Sequence, residues 1–410
     1  MIVLVINCGS SSLKYRVFSM ANQQVLASGL VERVGIAGGK EASLKHRPAG
    51  DDEFFEQAEM PNHEVAMRYV LAALTDPNHG VIGSLNEIKA VGHRVLHGGD
   101  RFQASVVIDD NVIAAIEDYV ELGPLHNPAN LMGIRACQAA LPSVPQIAVF
   151  DTAFHATMPR RAFLYGLPYE FYEKDRIRRY GFHGTSHRYV TLRATKLLEA
   201  RGVPAAEQKF ITVHIGNGCS MAAVKGGKCI DTSMGLTPLE GLLMGTRTGD
   251  IDPAAVTAIQ DKHRLSRTEI DDLLNKQSGL LGVSGVSSDM RDVKAAALDG
   301  NARAQAAVEI FCYRIQKYIG AYAAALGGID AVVFTAGIGE NDPTIRERSI
   351  NELCFLGIQL DHSKNEDNSL RGKEIDIAMP ESRVRVFVIP TDEELMIAQD
   401  TAVLVAGAEG

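Results

Sequence analysis

Three runs of small residues follow apolar stretches: Asn7–Ser12, Gly216–Ser220 and Gly337–Asn341. Successive backbone N–H groups at such turns form a cradle, and glycine lets a phosphate approach closely. One turn of this kind is ordinary hairpin chemistry. Three of them, two in equivalent places of a repeated pattern, fit a triphosphate held between two domains. The chain has no G-x-x-x-x-G-K-S/T run, which excludes a P-loop.

Arginines stand at two glycine-rich tips, Arg94 in His93–Gly99 and Arg247 in Gly245–Asp250. An arginine at the end of a buried strand is costly unless it meets an anion. Its planar fork suits phosphate or carboxylate, and an ordinary salt bridge satisfies it as well. Asp151 ends an apolar run, where a carboxylate serves as metal ligand, base or helix cap. His183 and His187 are four apart, a spacing that zinc uses. Gly184 and an expected cap at Thr185 or Ser186 split that pair across a helix start, and no H-E-x-x-H glutamate accompanies it. His183 therefore reads as a phosphate donor and His187 as a helix-face residue. Arg176, Arg178 and Arg179 read as a solvated or interface face. Thr391 and Glu394 form an expected capping box. Glu393, beside Asp392, then reads on local grounds as a helix-stabilising carboxylate.

These groups need strands to deliver them. Ile2–Ile6, Leu13–Phe18 and Val25–Leu30 predict a three-stranded meander, followed by loop or irregular strand over 36–62. His63–Leu74 predicts a helix, Ile88–Leu96 and Gln146–Phe150 buried strands, and Asn127-Pro128 a helix start with Asn127 as its cap. The meander pattern returns at Phe210–Ile215, Ser220–Val224 and Cys229–Thr232. It predicts an internal duplication, two similar domains facing each other across a cleft. Val308, Phe311, Ile315, Tyr318 and Tyr322 form one helical stripe of core. Asp330–Thr335 and Val384–Ile389 predict two further strands, and Asp252-Pro253 and Asp342-Pro343 two capped helix starts.

Length and composition agree. The chain has 410 residues, more than one hydrophobic core of about 250–300 residues supports. A net charge of −9 and the absence of tryptophan argue against a nucleic-acid face or a stacking platform. No apolar run is long enough to span a bilayer, and the opening residues predict a strand rather than a signal peptide. Six scattered cysteines predict reduced, mostly buried thiols in a cytoplasm, without zinc or disulfides.

The runs Asn7–Lys14, Arg94–Gly99, Phe150–His155, His183–His187, Asp231–Gly241, Gly245–Asp252 and Gly337–Asn341 together resemble the acetate/propionate kinase family, from residue 7 to 397. The resemblance implies an α/β fold of two duplicated RNase-H-like domains, actin-like and sugar-kinase-like, with a cleft between them. It divides the chain into 1–150 with the helix 393–410, and 151–392. It implies a cytoplasmic homodimer that moves a phosphoryl group between ATP and acetate with Mg²⁺, or Mn²⁺ in its place. Asn7 and Glu393 would hold the metal. Arg94, Arg247, His183 and Asp151 would be catalytic. Leu96, Leu125, Phe182 and Pro238 would line the pocket for the acid's methyl group, with Arg94 on its carboxylate. Ser10, Ser12, Lys14, His214, Ile215, Gly216, Asn217, Gly218, Asp289, Met290, Arg291, Gly337, Ile338, Gly339, Glu340 and Asn341 would surround the nucleotide, and His126 is a secondary candidate. Leu96 stands where the family more often has valine. Rival readings are a propionate kinase, a sugar-type hydroxyl kinase with Asp151 as base, and a nucleotide-driven switch with no small acceptor.

Overall fold

The computed structural model describes residues 1–123 and 126–408. The chain falls into two units, Met1–Ala156 with Asp392–Gly410, and Thr157–Thr391. The break comes six residues after the expected 150/151 boundary. The reason is that Asp151 still belongs to the first sheet, its N–H donating to Val95 O at 3.0 Å.

The first unit holds β1 (Ile2–Gly9), β2 (Ser12–Ser19), β3 (Gln24–Glu32), β4 (Ala42–Pro48), β5 (Phe54–Ala58), β6 (Ile88–Val95), β7 (Val106–Val107) and β8 (Gln146–Phe150). Their order is β5-β4-β3-β2-β1-β6-β8-β7. Successive side chains of β1 face opposite ways. Leu4, Ile6 and Cys8 pack with Met67 and Val70 of the helix His63–Leu74 and with Cys137 of the helix Asn127–Ala140. Val3 and Val5 pack with Ile397, Ala398 and Val405 of the C-terminal helix Glu393–Ala408. One short strand, buried on both faces, thus needs cover from both ends of the chain.

The second unit holds β9 (Lys209–Ile215), β10 (Cys219–Lys225), β11 (Lys228–Thr232), β12 (Ala331–Thr335), β13 (Ile375–Asp376) and β14 (Arg385–Val388). Their order is β11-β10-β9-β12-β14-β13. The central five repeat the first unit: β3-β2-β1-β6-β8 and β11-β10-β9-β12-β14 share the same order and sense. Each starts with an antiparallel meander, and each first strand then pairs in parallel with the next. The fold is α/β and duplicated. The stripe at 308–322 lies in the helix Ala302–Leu326, with Val308, Phe311, Ile315 and Tyr322 buried.

Several local expectations give way to tertiary partners. Residues 36–62 contribute two full strands, β4 and β5. Asn127 is the first helical residue, not its cap. Its Oδ1 accepts from His97 N at 3.1 Å and its Nδ2 donates to His97 O at 3.2 Å. The capping box at Thr391 does not form. Asp392 caps the last helix instead, accepting from Leu395 N at 3.0 Å, while Glu394 turns to Lys14 and Arg16. Gly337–Asn341 lies in a short helix, Ala336–Asn341, rather than a turn. Among the described residues no helix is long and apolar enough to cross a membrane. All six cysteines are free, and only Cys354 is exposed.

Candidate active site

In the first unit the parallel neighbours β6 and β8 bring Arg94 and Asp151 together. Arg94 donates from Nε to Asp151 Oδ1 at 3.2 Å and from Nη2 to Oδ2 at 2.6 Å. Asp151 is fully buried and the Arg94 side chain is 26% exposed. The fork-on-carboxylate pair raises the Arg94 pKa further above its ordinary value. Asp151 is therefore the partner of an arginine.

Glu393 begins the C-terminal helix, which packs on β1 and β6. Burial pushes its carboxyl up to about 7; Arg94 opposes the rise, and Asp151 and Glu394 add to it. Arg94 is already matched by Asp151, so Glu393 sits in an acidic excess. A first-turn carboxylate that merely stabilised its helix would be solvated and ionised. Glu393 is instead short of positive charge. No group of three or more His, Cys, Asp or Glu side chains clusters for metal binding among the described residues. Glu393 offers a single carboxylate at the start of its helix. It suits Mg²⁺, which typically takes one or two carboxylates and completes its shell with water and substrate phosphate.

The remaining first-unit candidates are less concentrated. Asn7 is half-buried in β1, opposite Lys14 of β2. Ser10 lies in the two-residue hairpin turn, and Ser12 opens β2. A Cβ at position 9 would lie 2.8 Å from Ser12 Oγ, so a larger residue there would make the Ser12 hydroxyl turn away. Lys14 is engaged by Glu394. Leu96 is 8% exposed, and its N–H donates to Asn130 Oδ1 at 3.0 Å. Asn130 also donates to Cys8 O at 3.1 Å, tying the ends of β1 and β6. Leu125 lies outside the described residues.

In the second unit His183 stands in the left-handed region, with φ 55°, immediately before the helix Gly184–Glu199. No cap forms at Thr185 or Ser186, which lie inside that helix. His183 Nδ1 lies 2.8 Å from Ser220 Oγ on β10, and its ring stacks on His214 at 4.1 Å. His187 is buried, with Nε2 2.8 Å from the same Ser220 Oγ and Nδ1 2.7 Å from Thr212 Oγ1. Hydroxyls on β9 and β10 occupy the imidazole nitrogens that a zinc reading would use. His214 Nδ1 meets Ser186 Oγ at 2.8 Å.

Arg247 approaches the same place. A Cβ on Gly218 would lie 3.4 Å from His183 Nε2 and 3.8 Å from Arg247 Nη1, so Gly218 leaves room beside both side chains. Arg247 donates to Pro238 O at 3.4 Å and makes no ion pair among the described residues. Burial lowers its pKa, the reverse of Arg94. A half-buried guanidinium without a carboxylate among the described residues is chemically suited to an anion. Phe182 is buried next to His183 in sequence, and Pro238 is half-buried.

A cleft of ≈ 800 Å³ in this unit is lined by Gly216, Asn217, Asp289, Met290, Arg291, Gly337, Ile338 and Asn341. Both glycine segments of the second half thus meet in one unit. Asn217 reaches it because Gly245 has no side chain: a Cβ there would lie 1.9 Å from Asn217 Oδ1. Asp289 caps the helix Met290–Leu298 and pairs with Arg291. Ile215 and Gly339 are buried and do not line the cleft, nor does Glu340. Glu340 Oε1 instead accepts from Ala336 N at 2.8 Å and Thr391 N at 3.1 Å.

Sequence reasoning missed Ser288, Lys294, Thr344 and Arg371 in the cleft wall. Lys294 is three residues after Arg291 on one helix, a spacing that was available. It also missed Arg346, which donates to the carbonyls of Gly339 and Glu340 at 2.9 and 3.0 Å. No sequence signal marks that residue.

Duplicated mixed sheets of this order, with an arginine free of ion pairs among the described residues, glycine segments and an open cleft, suit the class of phosphoryl-transfer enzymes. The chain belongs to the acetokinase family, whose model matches residues 2–399. A Treponema denticola protein named acetate kinase is 56% identical over 403 residues, 98% of this chain and 99% of its own. The crystal structure of Porphyromonas gingivalis acetate kinase superposes with a TM-score of 0.93 at 49% identity, covering 98% of this chain and 99% of that one. A propionate kinase from Francisella tularensis follows at 0.89 and 43%, with the same coverage.

Proposed function

We propose that this chain transfers the γ-phosphoryl group of ATP to acetate, reversibly, giving ADP and acetyl phosphate. The observation that carries the reading is Arg247, a half-buried guanidinium with no carboxylate partner next to His183 and Gly218. The curated relatives' shared name supports acetate over propionate as the acceptor.

A carboxylate with a pKa of about 4 is already ionised at neutral pH, so no base is needed. The difficulty is bringing two anions into line. Arg247 and His183 would offset charge on the transferring phosphoryl group, and Arg94, held rigid by Asp151, would orient the acid. Asp151 is engaged bidentately by Arg94, a pairing that keeps it ionised and disfavours the hydroxyl-kinase reading in which it takes up a proton as base. Transfer is direct, without a phospho-enzyme. The cleft residues of the second unit would receive the nucleotide. Asn7 and Glu393 would hold Mg²⁺, which when bound supplies positive charge to offset that of the phosphates. Leu96, Phe182 and Pro238 would exclude water around the acid's methyl group. The working form is a cytoplasmic homodimer.

The test is a panel of C1 to C4 acids with Mg-ATP, read as hydroxamate. Acetate should lead. Turnover of a sugar, or ATP hydrolysis indifferent to every acid, would remove the reading.

A further inference from the structure

The loop Thr232–Gly241 carries Pro238, and three side chains with no part in the proposed chemistry fix its shape. Arg179 Nη1 donates to the successive carbonyls of Thr232 at 2.8 Å, Ser233 at 3.1 Å and Met234 at 3.2 Å. Its Nη2 pairs with Glu240 Oε1, so one guanidinium grips both ends of the loop. Glu240 Oε2 accepts from the Tyr165 hydroxyl at 2.6 Å, and that hydroxyl accepts from Leu236 N at 2.9 Å. The fit is tight: a Cβ on Gly235 would lie 1.9 Å from Glu240 Oε2 and 2.3 Å from the Tyr165 hydroxyl. On the far side Gly241 and Asp250 exchange two hydrogen bonds, at 2.8 and 2.9 Å. Between these anchors the Pro238 carbonyl accepts from Arg247 Nη1 at 3.4 Å. Among the described residues Arg247 has no carboxylate to hold it, only this carbonyl and, at 4.0 Å, Met244 Sδ, so its aim depends chiefly on where the carbonyl stands.

We propose that Arg179, Glu240 and Tyr165 are positioning residues that hold the Thr232–Gly241 loop so that Pro238 O aims the Arg247 guanidinium at its anion. The proposal rests on the acid-kinase reading above. It gives Arg179 a role that its place in a basic run does not suggest. A lysine at 179 cannot reproduce it, because a point charge does not span three carbonyls and a carboxylate. A small displacement of a group that orients a reactant costs up to about 10²-fold in rate.

The experiment uses full-length Tyr165→Phe, Glu240→Gln and Arg179→Lys. Tyr165→Phe removes one hydroxyl and keeps the ring, so it tests the clamp should the charged variants fold poorly. Expected is a fall of about 10- to 10²-fold in kcat/KM for acetate, with the KM for Mg-ATP within about twofold of wild type. Amide exchange in 232–241 should quicken while 216–220 stays as protected as before. Unchanged acetate kinetics in folded Tyr165→Phe would overturn the proposal, even with a lowered Tm. So would an equal rise in both KM values. A wild-type protein that phosphorylates no acid would sink the underlying reading before any variant is made, and the exchange result would still judge the clamp.

Discussion

Arg94 and Arg247 are both arginines at glycine-rich tips, yet their surroundings differ in sign. Arg94 is neutralised by Asp151, whereas among the described residues the Arg247 guanidinium meets a carbonyl and a thioether, Pro238 O and Met244 Sδ, and no carboxylate. Removing Arg247 should therefore strip uncompensated charge from the transition state. Arg247→Ala should lower kcat by roughly 10²–10³ with the fold intact, and Arg247→Lys should recover part of it. Steady-state kinetics on soluble, folded variants decide this. Glu393 makes the opposite prediction, on stability. Its folded pKa of about 7 lies above the ordinary 4.5, so the folded protein binds the extra proton. That contribution is complete below pH 4.5 and is lost as pH rises through about 7. In EDTA, Glu393→Gln, a mimic of the neutral acid, should match wild type at low pH and exceed its Tm at high pH. A constant difference across the range would show that Glu393 is not perturbed. Leu96 tests the pocket: Leu96→Ala should raise the propionate-to-acetate ratio of kcat/KM by about 10–200-fold, mainly by improving propionate. An unchanged ratio would move the pocket away from Leu96.

Among the elements, the decisive contacts are close approaches of backbone. Gly245 lets Asn217 enter the cleft wall, and its N–H donates to Asn217 O at 2.9 Å. An added methyl would press on Asn217 Oδ1 and, at 3.0 Å, on Ser288 O. Ser288 itself lines the cleft. Gly245→Ala should therefore raise the KM for ATP at least about tenfold, a loss of ~1.4 kcal/mol, and spare the KM for acetate. Isothermal titration with ADP separates this from a kinetic effect. Gly337 is the contrasting case, since a Cβ there meets nothing within 4 Å. Its open face carries no packing requirement.

For the molecule as a whole, the two glycine segments of the second half line one cleft within Thr157–Thr391. ADP should therefore act first on that unit. At about 100 times its Kd, a ligand bound only to the folded form adds about 2.7 kcal/mol. Hydrogen exchange should slow in 216–220 and 337–341, while the β2–β3 hairpin of the first unit is little changed. Uniform slowing of both sheets, or none in the second, would contradict a nucleotide site built from that unit.

Periodicity and turn chemistry were enough to read most strands, the duplication and the helix at 63–74, because alternating or helical burial is written in local sequence. Residue type and spacing also marked Arg94 and Arg247, at glycine-rich tips, as anion candidates. The local rules failed wherever a distant group offered a better bond. Asn127 left its cap for His97, Glu394 left the capping box for Lys14, and Glu340 turned inward to Ala336 and Thr391. Charge balance belongs to this second class. Nothing in the letters distinguishes Arg94 from Arg247, or marks Glu393 as the carboxylate short of positive charge. Those properties depend on which charges the sheets bring within a few ångströms and on how much water they exclude, and only the tertiary structure sets both.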